Sequence, residues 1–147
     1  MYLVSACLLG QDSKYNGGNN RNEAVIRFAE RHSVFPVCPE TTGGLPVPRP
    51  PAERVGKRVV NREGEDVTVQ FLAGARSTLS IALAEAERRG ERLEGAILKA
   101  NSPSCGSGVI YDGTFTGNII DGNGCFTELL NELGINVITE KELDNND

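Results

Sequence analysis

Apolar residues gather in four short, nearly continuous runs: YLVSA at 2–6, SVFPV at 33–37, GAILKA at 95–100 and INVIT at 135–139. Unbroken runs of this length, rich in β-branched side chains, predict strands buried on both faces. Between them the apolar positions recur at helical spacing. NEAVIRFAERH at 22–32 puts Val25, Phe28 and Ala29 on one face, with Asn22 as an N-cap. The longest helix is predicted over 67–90, with Phe71, Leu72, Ala75, Leu79, Leu83 and Ala86 as its apolar positions and Gly90 as its stop. FTELLNELG at 126–134 predicts a shorter helix that ends at Gly134.

Strands that alternate with helices imply right-handed crossovers. The expected fold is therefore open α/β: a mostly parallel sheet flanked by helices on both faces, a Rossmann-like three-layer arrangement over a single domain, 1–147. Two segments depart from the pattern. The proline-rich stretch 39–54, PETTGGLPVPRPPAER, predicts an irregular but stiff loop. GVIYDGTFTGNIIDGNG at 108–124 has turns around Asp112-Gly113 and Asp121-Gly122 and predicts a small hairpin flap.

Composition narrows the partners. With 39% hydrophobic and 24% charged residues the 147-residue chain has ordinary globular proportions. No apolar run approaches the roughly 18 residues that would span a bilayer, and the first residues show neither a basic leader nor a cleavage site, so a cytoplasmic location is expected. The net charge of −5 and scattered basic residues argue against a nucleic-acid partner, and the absence of Trp leaves little to stack single-stranded bases. Nothing in the sequence fixes the oligomeric state.

Each of three cysteines lies just past a predicted strand: Cys7 after the first, Cys38 after the second, and Cys105 after the third and a five-residue NSPSC turn. In an open parallel sheet the carboxyl ends of the strands share one edge, where ligand sites form. Thiols 31 and 67 positions apart would thus meet in space. Three thiolates on one edge suit a soft metal or an iron-sulfur cluster with one corner left open. The spacing is neither that of a zinc ribbon nor that of a ferredoxin. Cys125, near the start of the last long helix, reads as packing.

Glu40 stands two residues beyond Cys38, where a carboxylate can serve as a general base. Ser102 and Ser104 flank Pro103 just before Cys105. Lys99 and Arg49 can supply positive charge, although Arg49 can equally pair with Glu53 on its own loop. His32, the single histidine, falls at a helix end, which argues against a Ser-His-Asp or Cys-His arrangement. No GxGxxG or GxxxxGK[ST] motif occurs.

The collinear segments VSACLLG with YNGG, PVCPE with GGLPVPRPPAE, DVTVQFLAGA, ILKANSPSCGSGVIYDGTFTG and DGNGCFTELLNELGI resemble the bacterial family catalogued as domain of unknown function 523 (DUF523), which is similar to the thiouracil desulfidases. The resemblance implies non-redox removal of sulfur from a thiolated pyrimidine such as 2- or 4-thiouracil, giving uracil and hydrosulfide. It implies a 4Fe-4S cluster held by Cys7, Cys38 and Cys105, with Glu40 as catalytic glutamate and Ser102 as catalytic serine. Some members carry a further cysteine where this chain has Ser13, which fits a three-ligand cluster. Two other readings stay open at this point: an iron-sulfur or sulfide carrier serving a sulfur-using partner, and a zinc-binding structural module.

Overall fold

A computed structural model of the protein describes residues 1–145; residues 146 and 147, the end of the expected domain, lie outside the described residues. Four parallel strands form the central sheet: β1 (Tyr2–Ser5), β2 (Val34–Val37), β5 (Gly95–Leu98) and β8 (Val137–Thr139), in the order β2-β1-β5-β8. β1 pairs with β2 from Tyr2 with Val34 to Ser5 with Val37, and with β5 from Tyr2 with Gly95 to Val4 with Ile97. These registers bring the carboxyl ends of the three strands level. From β1 the chain steps outward to β2 and later returns to β5 on the other side. The order therefore reverses between β1 and β5, the position at which open α/β sheets bind ligands.

Alternate side chains of the sheet feed two cores. Leu3, Ala96 and Leu98 pack with Phe71 and Ala75 of α3 (Thr68–Arg89) and with Phe126 and Leu130 of α4 (Cys125–Glu132). Val4 and Ile97 face the opposite way, against Val25 and Phe28 of α1 (Glu23–Arg31) and Leu143 of α5 (Glu140–Asn145). The three layers expected from the alternating pattern are present. Asn22 caps α1 through its side chain, which accepts from the Val25 amide at 3.1 Å. His32 ends α1 and stacks on Phe28 at 3.9 Å between ring centroids.

Three local expectations need correction. The buried stripe of α3 is Phe71, Gly74, Ala75, Thr78, Ala82 and Ala86, while Leu72 and Leu83 face solvent. Gly74 stands on that face because a short helix, α2 (Pro39–Thr42), lies directly against it there. A Cβ on Gly74 would stand 2.0 Å from the Pro39 carbonyl oxygen, and one on Gly43 2.2 Å from that of Gln70. The stiff stretch 39–54 is not wholly irregular, since it opens with α2 and closes with β3 (Ala52–Val55). β3 pairs antiparallel with β4 (Arg58–Asn61), a strand whose single alternation is too short to signal itself. Finally, the third run yields a strand only to Leu98. Beyond it the Lys99 amide turns to Ser5 Oγ at 2.9 Å and the Ala100 amide to Glu140 Oε1 at 2.7 Å.

The expected flap is a two-stranded hairpin, β6 (Val109–Tyr111) with β7 (Ile119–Asp121). No helix among the described residues is long and apolar enough to cross a membrane.

Candidate functional site

Each candidate cysteine is presented by a turn with its own local cause. After β1 the chain tightens into a 3-10 turn over Ala6–Leu9, closed by Gly10 at φ 93°. The Cys7 carbonyl within it accepts from the amides of Gly10 and Asn20, at 3.2 and 2.9 Å. Cys38 stands at the N-cap of α2, where Pro39 pre-sets the first helical φ. Cys105 closes the NSPSC turn: its amide donates to Ser102 Oγ at 2.8 Å, and its carbonyl accepts from Thr127 Oγ1 of α4 at 2.8 Å. Gly124 lets α4 approach that turn, because a Cβ there would lie 2.3 Å from the Ser104 carbonyl carbon.

The three thiols line one cavity of about 380 Å³ at the carboxyl edge of the sheet. Glu40, Ser102, Ser104 and Lys99 line it too. Cys125 does not join them; it is buried in the core between the sheet, α3 and α4, the packing role expected of it. Among the described residues no group of three or more His, Cys, Asp or Glu is drawn together tightly enough for one metal ion. The ligands of a single zinc ion converge to within about 2.3 Å of a point. Thiolates that hold a cluster bind different iron atoms and so need not converge on one point.

Burial dominates the titration of Cys7 and Cys105. Desolvation pushes Cys7 up, opposed by a hydrogen bond from Asn20 and by the Lys99 charge. Cys105 is pushed up to about 12 by its burial, which outweighs the nearby Ser104 and Ser5 hydroxyls. Both thiols therefore hold their protons at neutral pH in the ligand-free protein, and a metal group must displace those protons to bind.

Glu40 is gripped at both oxygens. Arg49 Nε lies 3.1 Å from Oε1, with the two side chains 6% and 16% exposed, and Ser104 Oγ donates to Oε2 at 2.7 Å. Arg49 also donates to the carbonyls of Ser13 and Pro46, at 3.0 and 3.3 Å. The Arg49–Glu53 pair that their closeness in sequence allows is thus not formed. Glu53 Oε1 instead accepts the amides of Gly113 and Phe115 in the flap, at 3.0 and 3.1 Å. By turning inward Arg49 gives the Glu40 carboxylate, set in the cavity wall, its counter-charge.

Ser102 Oγ lies 3.4 Å from Ser104 Oγ. With the single Ser104 proton given to Glu40, its oxygen accepts from Ser102, which in turn accepts the Cys105 amide. A chain Ser102, Ser104, Glu40 results, with Ser104 buried in the middle. Ser104 also lies 3.6 Å from Cys105 Sγ. Lys99 Nζ is 3.2 Å from Glu140 Oε2, so a residue at the start of α5 anchors the cation beside Cys7. In the sequence Ser104 stands out only as a flanking serine and Glu140 not at all, because a contact across 41 positions leaves no local pattern.

Comparison with known proteins adds to this geometry. The model of a family described as 2-thiouracil desulfurase matches residues 2–142. The chain is 40% identical over 153 residues to the uncharacterized protein YbbK of Bacillus subtilis (strain 168), covering 97% of each. It is 42% identical to a solved structure described as the 4Fe-4S-dependent thiouracil desulfidase TudS, with a TM-score of 0.82 over 98% of this chain and 93% of that one.

Proposed function

Because the chain belongs to the 2-thiouracil desulfurase family, we propose that it is an enzyme that takes sulfur from a thiolated pyrimidine of the 2- or 4-thiouracil kind, without net redox change, and that Cys7, Cys38 and Cys105 hold its 4Fe-4S cluster. The observation that carries the reading is the convergence of three thiols from three strand ends on one cavity that also contains a half-buried, doubly held carboxylate. The donor set fits the group. Three soft ligands and a nearby Lys99 ammonium suit a cluster whose net charge with three thiolates is negative. Held by these three cysteines, the cluster would supply a Lewis acid for a thiocarbonyl sulfur.

The protein residues then carry the proton traffic. Glu40 acts as the general base, and Ser102 presents its hydroxyl to the water that attacks the ring carbon. A proton given up by that water reaches Glu40 through Ser102 and Ser104, each oxygen accepting one proton as it donates its own, so the count balances. Arg49 keeps the carboxylate oriented, and removing it would leave Glu40 as an unpaired charge in a desolvated wall. The product ring leaves as uracil, and the displaced hydrosulfide must depart before the next turnover.

The test is anaerobic purification, iron and acid-labile sulfide measured per chain, then turnover of 2- and 4-thiouracil followed by release of uracil and sulfide. Stoichiometric uracil and sulfide over many turnovers is the expected result. A fully loaded protein that releases neither refutes the activity, and zinc in place of iron refutes the cluster.

A further inference from the structure

The flap carries a residue for which neither hydrophobic core accounts. Phe115 lies at the turn between β6 and β7 and lines the cavity, yet it belongs to neither of the two apolar clusters around the sheet. Its backbone is left-handed, at φ 59°. A bulky residue adopts that conformation at a cost in free energy, and such positions persist only where the surroundings over-determine them.

Here the surroundings are specific. Glu53, 8% exposed, collects the amides of Gly113 and Phe115 on one oxygen. Gly113 lies so close to β3 that a Cβ would stand 2.9 Å from the Arg54 carbonyl oxygen. The Arg62 guanidinium stands over the Phe115 ring at 5.5 Å from its centroid. Tyr15 and Tyr111 also line the cavity, but among its three aromatic residues Phe115 is the one whose backbone is left-handed and held by a buried carboxylate, with a cation over its ring.

We propose that Phe115 is the residue that selects a planar, unsaturated ring, stacking on the thiolated pyrimidine while its sulfur faces the cysteines. The proposal rests on the reading of the chain as a thiopyrimidine desulfidase. Every pyrimidine has a π-face whatever its substituents, so a stacking contact rewards planarity and tolerates the position of the sulfur. A saturated ring of the same outline has no such face. Glu53 and Arg62 are positioning residues that act through Phe115.

Two measurements test this. The first compares kcat/KM for 2-thiouracil with that for 5,6-dihydro-2-thiouracil in the wild type, F115L and F115Y. F115L should lose about tenfold for the planar substrate, carried in KM, the loss of stacking worth about 1.4 kcal/mol. It should change little for the saturated substrate, and F115Y should keep the preference. An F115L enzyme with the wild-type preference overturns the proposal.

The second uses the absence of tryptophan from the chain. F115W introduces the chain's one tryptophan at the site, excited selectively over the cavity tyrosines Tyr15 and Tyr111 and read in protein with and without its cluster. Uracil should quench that emission and 5,6-dihydrouracil should not; equal responses, or none, overturn the proposal. If the wild type turns over neither substrate the desulfidase reading fails, and the fluorescence still decides whether residue 115 meets a planar ring.

Discussion

Gly74→Ala is the substitution whose consequence is most directly worked from the structure. The added methyl would lie 2.0 Å from the Pro39 carbonyl oxygen, and its nearest neighbours are all backbone atoms, so no rotamer change relieves the contact. Opening that gap to an ordinary contact near 3.4 Å moves α2 away from α3 by about 1.4 Å. Overpacking of this kind costs about 1–3 kcal/mol. A backbone-on-backbone clash belongs at or beyond the top of that range, and the higher helix propensity of alanine returns about 1 kcal/mol. The expected net loss is about 2 kcal/mol, or roughly 4–8 °C in Tm for a domain of this size.

Activity should fall further than stability. Cys38 precedes α2 and Glu40 lies within it, so the displacement is applied to a cavity cysteine and to the carboxylate together. A misplacement of about 1 Å near reacting groups costs on the order of a hundredfold in rate. The assay pairs thermal unfolding with thiouracil turnover, using Ser77→Ala on the exposed face of the same helix as the control that should be neutral. A Gly74→Ala protein as stable and as active as the wild type would refute the claim that the glycine contact seats the site.

Serine in place of Cys7, Cys38 or Cys105 should each abolish the visible cluster absorbance and the bound iron, whereas Cys125→Ser should keep both while lowering Tm, since it sets a hydroxyl into the core. Arg49→Met should destabilise the cluster-free protein by about 1–3 kcal/mol in denaturant unfolding, the cost of removing the counter-charge of a half-buried carboxylate that keeps only its bond from Ser104; Arg49→Lys should recover only part of it, because one ammonium cannot reproduce the fork to Glu40, Ser13 and Pro46. The cluster-free protein should lose stability as pH rises from about 9 toward about 12. The unfolded chain gives up its Cys105 proton near 9 while the folded chain keeps it to about 12, so alkali favours unfolding across that window, and Cys105→Ala should flatten the slope.

The alternation of short apolar runs with helical periodicity was enough to determine the three-layer architecture, because strands buried on both faces and amphipathic helices leave unambiguous local patterns. The same pattern put Cys7, Cys38 and Cys105 past the ends of three strands, and a parallel sheet sends such ends to one edge. Contacts between residues distant in the chain were decided only by the tertiary structure. Leu72 and Leu83 face solvent, and the buried face of α3 includes Gly74, where α2 packs against the helix backbone. Arg49 left its neighbour Glu53 for Glu40, and Glu53 went to the flap amides. Ser104 came between Ser102 and Glu40, and Phe115 reached the cavity from a hairpin with no apolar pattern pointing inward. Period and propensity are properties of a few consecutive residues, whereas the partner of a buried charge is set by whichever groups folding brings within about 3 Å.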